Sequence, residues 1–351
     1  MLTSPGIFMQ RCIELAKLGA GNVAPNPLVG AVLVYGERVI GEGYHMQYGQ
    51  AHAEVNCIKN VSAADKELIA ESDMYVSLEP CAHFGKTPPC ADLLIRHNIK
   101  KVFVGCRDPF EAVNGKGIEK LRAAGVEVIV GILEKECIEL NQAFFTFHTK
   151  KRPYIILKWA QSADNFIGGS RQQDVTQRVF ITNDITNRMV HKWRSETAAI
   201  LVGTETALKD DPSLTTRLWK GNNPVRIVID RSLRLPGTLK LFDRSVPTIV
   251  FNDLKSSGEK ELMYYKNDST GNGLQTVCDV LYQENINSLM VEGGAKLLQS
   301  FIVAGLWDEA RIITNRRLLL HEGVPAPMLN TGSITKRENY REDEVVFIVH
   351  G

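Results

Sequence analysis

Short apolar runs and amphipathic stretches follow one another along the first half of the chain. Apolar runs typical of strands occur at residues 31–35, 38–43, 73–78, 101–106 and 126–131. Helical spacing of apolar residues occurs at 4–18, 53–59, 117–124 and 134–147, and a further helix is expected to begin near Cys90. Because strands and helices alternate, we expect a three-layer α/β/α sandwich.

The second half opens after a basic run. Lys150-Lys151-Arg152 precedes Pro153, and we place the domain boundary there, between residues 1–148 and 153–351. The basic run itself is expected to be a solvated linker. Further strands are predicted at 154–159, 288–291 and 345–350, and a helix at 295–304 follows the tight turn Glu292-Gly293-Gly294.

The composition is typical of a soluble globular protein. With 351 residues, 44% hydrophobic and 23% charged, the chain can bury a core in each of two domains. A net charge of +1 provides no global attraction for nucleic acid. No apolar run approaches the ~18–20 residues that span a bilayer, and the first residues lack a basic segment followed by an apolar one. We therefore expect a cytoplasmic protein with no membrane partner.

The cysteines do not form a disulfide pattern. Their number is odd, and they are scattered at positions 12, 57, 81, 90, 106, 137 and 278. This usage fits a reducing compartment. Cys81 and Cys90 are candidate metal ligands, and the others are expected to be small core residues.

One imidazole and two thiolates form the most informative pattern in the chain. His52-Ala53-Glu54 is followed by Pro80-Cys81 and then by Cys90. The His and the two Cys can give Zn²⁺ three protein ligands and leave a fourth position for water, which is the layout of a catalytic zinc site. Glu54 is better interpreted as a proton shuttle, because the attacking water loses a proton and a departing amine gains one. This order is the signature of zinc-dependent base deaminases; the competing interpretation is a buried His beside two inert thiols.

The spacing of the two cysteines indicates a more specific family. Residues 82–89 lie between them, whereas the common pattern has only two residues there. The segment from Leu78 to Cys90 closely resembles the deaminase motif of the bifunctional riboflavin-biosynthesis deaminase/reductases. The resemblance implies a cytidine-deaminase-like domain in which the long loop sets substrate specificity.

The resemblance also implies substrate contacts in the first domain. Asn26 would bind the base, since an amide can donate and accept along a pyrimidine edge, and His45 would contact substrate. His83 and Lys86 lie in the long loop, where a cation suits a 5-phosphoribosyl group. The alternatives are a turn-stabilising Asn26, a solvent-exposed His45 and a solvated surface loop.

The second half resembles the reductase domain of the same family. The similarity covers Lys158-Trp159-Ala160-Gln161-Ser162-Ala163-Asp164, Phe180-Ile181-Thr182-Asn183, His191-Lys192-Trp193-Arg194, and residues 200–208 and 210–217. It implies a dihydrofolate-reductase-like α/β fold with NADPH as reductant. No G-x-G-x-x-G follows the first strand, so a Rossmann fingerprint is absent.

The same resemblance assigns roles in the reductase site. Lys158 and Glu292 match positions beside the ribosyl chain, and Lys158 could polarise the carbonyl or donate a proton. Arg194 and Arg217 are candidates for the substrate phosphate, because a guanidinium matches its oxygens bidentately; an ordinary surface ion pair is the alternative. A further substrate position is Leu214, and the positions expected to contact NADPH are Ala160, Phe180, Thr206, Asp210, Gly293 and Gly294.

Four residues depart from the family pattern. Ala163 and Asn165 stand where the family has the Leu and the Gly of S-L-D-G, and Phe180 replaces a Trp while keeping an aromatic surface. Arg178 replaces a Ser and could either assist a phosphate or crowd the site.

The sequence therefore predicts a bifunctional enzyme. Zinc-dependent hydrolysis would release ammonia from 2,5-diamino-6-(5-phosphoribosylamino)pyrimidin-4-one, and NADPH would reduce the ribosyl chain to give 5-amino-6-(5-phosphoribitylamino)uracil. The family implies a homodimer or homotetramer. One alternative is a nucleoside or tRNA base deaminase, which the balanced charge and the long loop disfavour. The other is a noncatalytic binding scaffold, which would not need Glu54.

Overall fold

The computed structural model describes residues 4–84, 88–168, 180–267 and 273–351. The chain divides into two compact units, Met1–Lys151 and Arg152–Gly351. None of the helices in these described stretches is long and apolar enough to cross a membrane.

The first unit is built on a five-stranded sheet with the order β2-β1-β3-β4-β5. Strand β1 is antiparallel to β2 and β3, whereas β3, β4 and β5 are parallel. The strands are β1 (Gly30–Tyr35), β2 (Arg38–Tyr44), β3 (Asp73–Leu78), β4 (Lys101–Cys106) and β5 (Glu127–Val130). The helices are α1 (Ser4–Lys17), α2 (Ala53–Lys59), α3 (Cys90–Arg96), α4 (Lys116–Ala123), α5 (Glu134–Leu140) and α6 (Gln142–Lys150), with a 3₁₀ helix at Ala63–Glu71.

Helices cover both faces of this sheet. Side chains of α2, α3 and α4 pack in one buried cluster with strand residues that include Leu33 and Val76. Side chains of α1, α5 and α6 pack in another with Val32 and Tyr75. Successive strand residues thus point to opposite helix layers, as the period of two requires. The predicted three-layer α/β/α sandwich is confirmed.

Glycine allows strand β2 to lie directly against helix α2. A Cβ on Gly43 would lie 2.2 Å from the Cys57 nitrogen and 2.6 Å from the Ala53 oxygen, so a side chain would force the two elements apart. This contact holds the first turn of α2, which begins directly after His52, against the sheet.

The prediction of a single helix at 134–147 is wrong. Asn141 separates α5 from α6 and departs from helical geometry, with φ −114° and ψ 25°. Its side chain accepts a hydrogen bond from the Leu28 nitrogen at 2.8 Å and donates to the Leu28 oxygen at 2.9 Å. The helix therefore breaks at Asn141, and the two hydrogen bonds hold the backbone at Leu28, two residues after Asn26.

The second unit contains a ten-stranded sheet with the order β11-β12-β10-β9-β8-β13-β6-β14-β17-β16. From β12 to β14 in this order the pairings are parallel, and the outer pairings are antiparallel. The strands of this sheet are β6 (Tyr154–Ser162), β8 (Ala199–Gly203), β9 (Val225–Ile229), β10 (Thr248–Asn252), β11 (Ser257–Glu259), β12 (Leu262–Lys266), β13 (Ser288–Val291), β14 (Glu309–Asn315), β16 (Ser333–Tyr340) and β17 (Asp343–Val349). Two further strands, β7 (Phe166–Gly168) and β15 (Val324–Pro325), pair with each other antiparallel in a separate two-stranded sheet. The helices are α7 (Asp184–Glu196), α8 (Thr204–Asp210), α9 (Gly273–Gln283) and α10 (Ala295–Val303), with a 3₁₀ helix at Lys240–Phe242. This layout confirms a second α/β domain.

The charged segment near the C-terminus forms a strand that the hydrophobic pattern did not predict. Strand β16 pairs antiparallel with β17 at the edge of the sheet. Its residues are largely exposed, and an edge strand tolerates charged side chains on its open face. Hydrophobic alternation is therefore too weak there to reveal the strand.

The basic run at the domain boundary is only partly solvated. Lys150 and Lys151 are exposed, as predicted for a linker. Arg152 instead donates to Asp308, with Nη2 2.8 Å from Oδ1, and both side chains are largely buried. Asp308 also accepts from the Ile155 nitrogen at 2.9 Å. Arg152 is thus part of the second unit's packing, which corrects the prediction for this residue.

Candidate functional site

The structure brings His52, Cys81 and Cys90 to one point in the first unit. The Nδ1 atom of His52 lies 3.6 Å from the Cys81 sulfur and 3.4 Å from the Cys90 sulfur, and the three ligand atoms lie within 4.8 Å of one another. His52 precedes α2, Cys81 follows β3 by a short turn, and Cys90 is the first residue of α3. Elements that are separate in sequence therefore converge on one position.

These distances fit a tetrahedral zinc ion. Zn–N and Zn–S bonds of about 2.0 and 2.3 Å at a tetrahedral angle place a nitrogen and a sulfur about 3.5 Å apart. Both observed separations from His52 Nδ1 lie close to that value. Because the donor set is one imidazole and two sulfurs, it suits zinc rather than a hard cation such as Mg²⁺.

The electrostatics of the cluster favour a thiolate at Cys81. Hydrogen bonding with the Cys90 thiol is the largest effect, and together with His52 it lowers the pKa of Cys81 despite burial, while the same hydrogen bond raises the pKa of Cys90. The Cys90 backbone nitrogen also donates to the Cys81 sulfur at 3.3 Å. Thiolate is the form of cysteine that binds metal.

Glu54 lies in the first turn of α2, next to the three ligands in the structure. Its side chain is only 3% exposed. Burial raises the pKa of Glu54, and the charge of Cys81 raises it further. A carboxyl in such a position can exchange protons with a reactant held at the cluster.

Asn26 and His45 contact each other, and His45 lies next to His52. Asn26 Nδ2 is 3.2 Å from His45 Nε2, and His45 Nδ1 is 3.1 Å from the Ala51 oxygen. A proton on Nδ1 would donate to that oxygen and leave Nε2 as an acceptor for the Asn26 amide. The His45 ring meets the His52 ring at a centroid distance of 5.4 Å. With 3% exposure, His45 is not the solvent-exposed loop residue that the alternative required.

Two buried carboxyl groups beside the cluster were missed from the sequence. Glu79 accepts hydrogen bonds from the backbone nitrogens of Asp108, Gly115, Gly117 and Ile118, which ties the loop after β4 to the turn that carries Cys81. Burial raises the pKa of Asp108 to about 7, with smaller contributions from Glu79 and Cys81. Both residues follow adjacent parallel strands, whose carboxyl ends meet at one edge of a sheet, and that position is the signal that could have identified them.

The long loop between the two cysteines is described only in part. Lys86 lies outside the described residues. His83 is exposed, and its ring meets the Phe110 ring edge-on at 6.0 Å. Phe110 in turn packs against His148 at 4.8 Å. The exposed imidazole is therefore backed by aromatic rings of the same unit.

The second unit has its own cluster of charged side chains, which includes Lys158 in the middle of β6 and Glu292 directly after β13. Arg194 on α7 forms a bidentate pair with Glu292, with distances of 2.8 Å from Nε to Oε1 and 2.7 Å from Nη2 to Oε2. Lys158 Nζ lies 4.0 Å from Glu292 Oε2. Burial opposes ionisation of Glu292, but Arg194 and Lys158 outweigh it and lower the pKa of Glu292 to about 2. Burial also lowers the pKa of Lys158, which Glu292 partly offsets.

The two arginines predicted to bind phosphate have different surroundings. Arg194 is largely buried, and its Nη1 donates to the Thr215 oxygen at 3.3 Å in addition to the pair with Glu292. Arg217 is exposed, just after the buried Leu214. Leu214 has a left-handed backbone with φ +51°, a conformation that persists only when surrounding contacts enforce it. The sequence did not anticipate that Arg194 and Glu292 bind each other.

A glycine turn lies between β13 and α10, where a cofactor phosphate was predicted. A Cβ on Gly293 would lie 3.0 Å from the Val202 Cα, and Gly294 has φ +50°. A Cβ on Gly294 would lie 3.3 Å from the Thr206 hydroxyl, so Thr206 borders this turn. Gly293 is buried against Val202, whereas Gly294 leaves exposed backbone at the N-terminus of α10, a position that fits a phosphate group.

Three further residues were predicted to contact the cofactor. Ala160 lies in β6, Asp210 ends α8, and Phe180 is 77% exposed. Arg178 lies outside the described residues. Asn165, where the family has glycine, adopts φ +64°, a conformation that Asn tolerates better than most residues, so this departure keeps the turn geometry.

Two family models match the chain. Residues 4–106 match the cytidine and deoxycytidylate deaminase zinc-binding region, which contains His52, Cys81 and Cys90. Residues 153–319 match the RibD C-terminal domain, which contains the charge cluster and the glycine turn.

Known proteins are similar to this chain over nearly its whole length. The riboflavin biosynthesis protein RibD of Aquifex aeolicus is 39% identical and covers 97% of each chain, and that of Bacillus amyloliquefaciens is 38% identical over 93% of this chain and 87% of the relative. A diaminohydroxyphosphoribosylaminopyrimidine deaminase/5-amino-6-(5-phosphoribosylamino)uracil reductase from Thermotoga maritima has a similar crystal structure, with a TM-score of 0.89, 35% identity and 99% of both chains covered. Both halves are thus similar to the same set of proteins, in the same order.

Proposed function

The chain belongs to the RibD family of riboflavin-biosynthesis enzymes, and from this premise we propose that its domains catalyse consecutive steps on one pyrimidine ribosyl phosphate. As a member, it is a bifunctional enzyme with a zinc-dependent deaminase domain and an NADPH-dependent reductase domain. The proposed substrate is 2,5-diamino-6-(5-phosphoribosylamino)pyrimidin-4-one. The proposed product is 5-amino-6-(5-phosphoribitylamino)uracil. This assignment rests on the relative from Thermotoga maritima, whose name contains both activities.

The observation that carries the deaminase proposal is the convergence of His52, Cys81 and Cys90 beside Glu54. Zinc at such a ligand set supplies Lewis acidity that activates water. Glu54 would take a proton from the attacking water and deliver one to the departing amine, so that ammonia leaves. Asn26 and His45 would hold the edge of the ring, while His83 and Lys86 would contact the phosphoribosyl group.

The reductase proposal rests on the Lys158, Glu292 and Arg194 cluster. NADPH supplies a hydride, and a matching proton must reach the oxygen or nitrogen of the opened ribosyl chain. Lys158 is the proposed donor, since burial lowers its pKa and makes its proton easier to release. Glu292, which also pairs with Arg194, would hold Lys158 in place. Arg217 and Arg194 would bind the substrate phosphate, and Leu214 would contact the substrate.

The glycine turn supports a site for the cofactor in the second domain. The backbone at Gly293 and Gly294 would meet its phosphates, with Thr206 and Asp210 beside them. Ala160 and Phe180 are the further proposed contacts. All six remain predictions of the family resemblance.

We also propose that the protein is cytoplasmic and forms homo-oligomers. None of the seven cysteines forms a disulfide, which supports a reducing compartment such as the cytoplasm. A homodimer or homotetramer is proposed from the family. The substrate of the family is a small molecule, and the balanced net charge supports the absence of a nucleic-acid partner.

Metal analysis tests the zinc site. We expect about one zinc per chain in the wild type and far less in Cys81→Ser, because this substitution removes one of the three proposed protein ligands. Cys12→Ser is the matched control, since Cys12 is a buried thiol whose sulfur already donates to the Tyr75 oxygen at 3.5 Å, a bond that serine keeps. Full zinc occupancy in Cys81→Ser would contradict the assigned ligands.

A further inference from the structure

His191 is a buried imidazole of the second unit to which the proposed chemistry gives no role. It lies on α7 and is 1% exposed. Its Nδ1 accepts a hydrogen bond from the backbone nitrogen of Arg217 at 3.2 Å. A buried histidine therefore bonds directly to the main chain of a residue proposed to bind the substrate phosphate.

The segment that ends at Arg217 is held by hydrogen bonds at successive residues. Arg194 Nη1 donates to the Thr215 oxygen, and the Thr216 nitrogen donates to the Asn223 Oδ1 atom at 2.8 Å. His191 supplies the contact to Arg217 itself. The main chain is thus fixed while the guanidinium of Arg217 stays exposed.

The charges around His191 keep its imidazole neutral. The facing charged groups are Arg194 on the same helix, Arg217 on the loop and Glu292 after β13. Burial has the largest effect and the two arginines add to it, so that the pKa of His191 is lowered to about 4 although Glu292 and the Thr215 backbone oppose the shift. A neutral imidazole can present a lone pair to the Arg217 N–H, whereas a protonated one cannot.

We propose that His191 is a positioning residue of the reductase, whose neutral imidazole holds the Arg217 backbone so that the guanidinium meets the substrate phosphate. This inference rests on the proposed function, in which Arg217 binds that phosphate. Preorganisation of this kind strengthens binding because the loop does not have to be ordered when substrate arrives.

The inference is tested with His191→Leu and His191→Asn. Leu removes the acceptor and leaves the Arg217 N–H without its partner, whereas the Asn Oδ1 atom can take the place of Nδ1. With NADPH and 5-amino-6-(5-phosphoribosylamino)uracil, we expect KM to rise about tenfold in the Leu variant, from the loss of one buried hydrogen bond, with little change in kcat. The Asn variant should return KM to within about threefold of the wild-type value.

A double-mutant cycle with Arg217→Ala separates positioning from general stability. If His191 acts through Arg217, adding His191→Leu to Arg217→Ala should raise KM little further. Fully additive effects would overturn the His191 inference while leaving the phosphate role of Arg217 intact. An unchanged KM in Arg217→Ala would instead overturn that phosphate role, and the positioning role with it.

The pH dependence of KM provides a test that does not need the Leu variant to fold. Because the pKa of His191 is lowered to about 4, its imidazole gains a proton only as the pH falls from neutrality toward 4. The protonated ring can no longer accept the hydrogen bond from Arg217, so the KM of the wild type should rise over this range. The Asn variant cannot titrate at this position, so its KM should rise less over the same range. Any titration of the substrate phosphate affects both proteins equally. Superimposable pH profiles of the two proteins would overturn the inference.

Discussion

Glu54→Gln is expected to lower kcat for ammonia release by about 10²–10⁴-fold, the usual contribution of a general acid–base group. Glutamine has the same shape but cannot accept and return a proton. Because His52, Cys81 and Cys90 are unchanged, zinc should remain at about one per chain. Reduction of 5-amino-6-(5-phosphoribosylamino)uracil by the second domain should keep its rate. The measurement is ammonia release from the diaminopyrimidine phosphate, with metal content determined on the same sample.

Glu71→Gln is the matched control for this experiment. Glu71 is an exposed carboxylate at the end of the 3₁₀ helix in the same unit, so its replacement should leave ammonia release unchanged. Near-wild-type ammonia release by Glu54→Gln would exclude Glu54 as the proton shuttle. Loss of zinc together with activity would instead assign it a role in building the metal site.

Lys158→Met is expected to lower substrate-dependent NADPH oxidation by about 10²–10⁴-fold while ammonia release continues at the wild-type rate. Methionine fills a similar volume in this largely buried position but has neither charge nor proton to donate. The Arg194–Glu292 pair has its own two hydrogen bonds and should persist. Assaying both reactions on one preparation makes the intact deaminase an internal standard for protein concentration.

Lys260→Met serves as the control for the loss of a lysine. Lys260 is exposed in the turn between β11 and β12, away from Lys158 in sequence and on a different element. NADPH oxidation should be unaffected in this variant. If Lys158→Met abolished both activities, a role confined to reduction would be wrong, and retention of NADPH oxidation would exclude Lys158 as the proton donor.

The convergence of His52, Cys81 and Cys90 and all five strands of the first unit could be predicted from the sequence, because each depends on a residue pattern that is recognisable locally. One histidine, two cysteines and a nearby glutamate are typical of a catalytic zinc site, and this set can be recognised even when the residues are far apart along the chain. Strands β3, β4 and β13 were predicted with the bounds found in the structure, since each is short, mostly apolar and buried between two other strands. The same signals identified His52 as the residue that precedes α2.

Contacts between distant polar groups could not be predicted in the same way. The Arg194–Glu292 pair joins a helix and a strand end that are far apart in the chain, and nothing in either local sequence specifies the partner. The break between α5 and α6 at Asn141 is explained by its two hydrogen bonds to Leu28, and the periodicity of apolar residues gives no information on such a contact. Glu79 likewise accepts hydrogen bonds from the backbone nitrogens of a loop, and backbone nitrogens do not depend on residue type, so the sequence does not reveal which residues it binds.

The identity of the products tests the bifunctional assignment most directly. The purified chain is supplied with the diaminopyrimidine phosphate, with and without NADPH, and the products are identified by mass spectrometry. Without NADPH, we predict a compound in which one amino group has become an oxo group and the ribosyl chain is unchanged. With NADPH, the same deaminated compound should be two hydrogens heavier. Recovery of unaltered substrate from both reactions, by protein that contains zinc, would contradict the account.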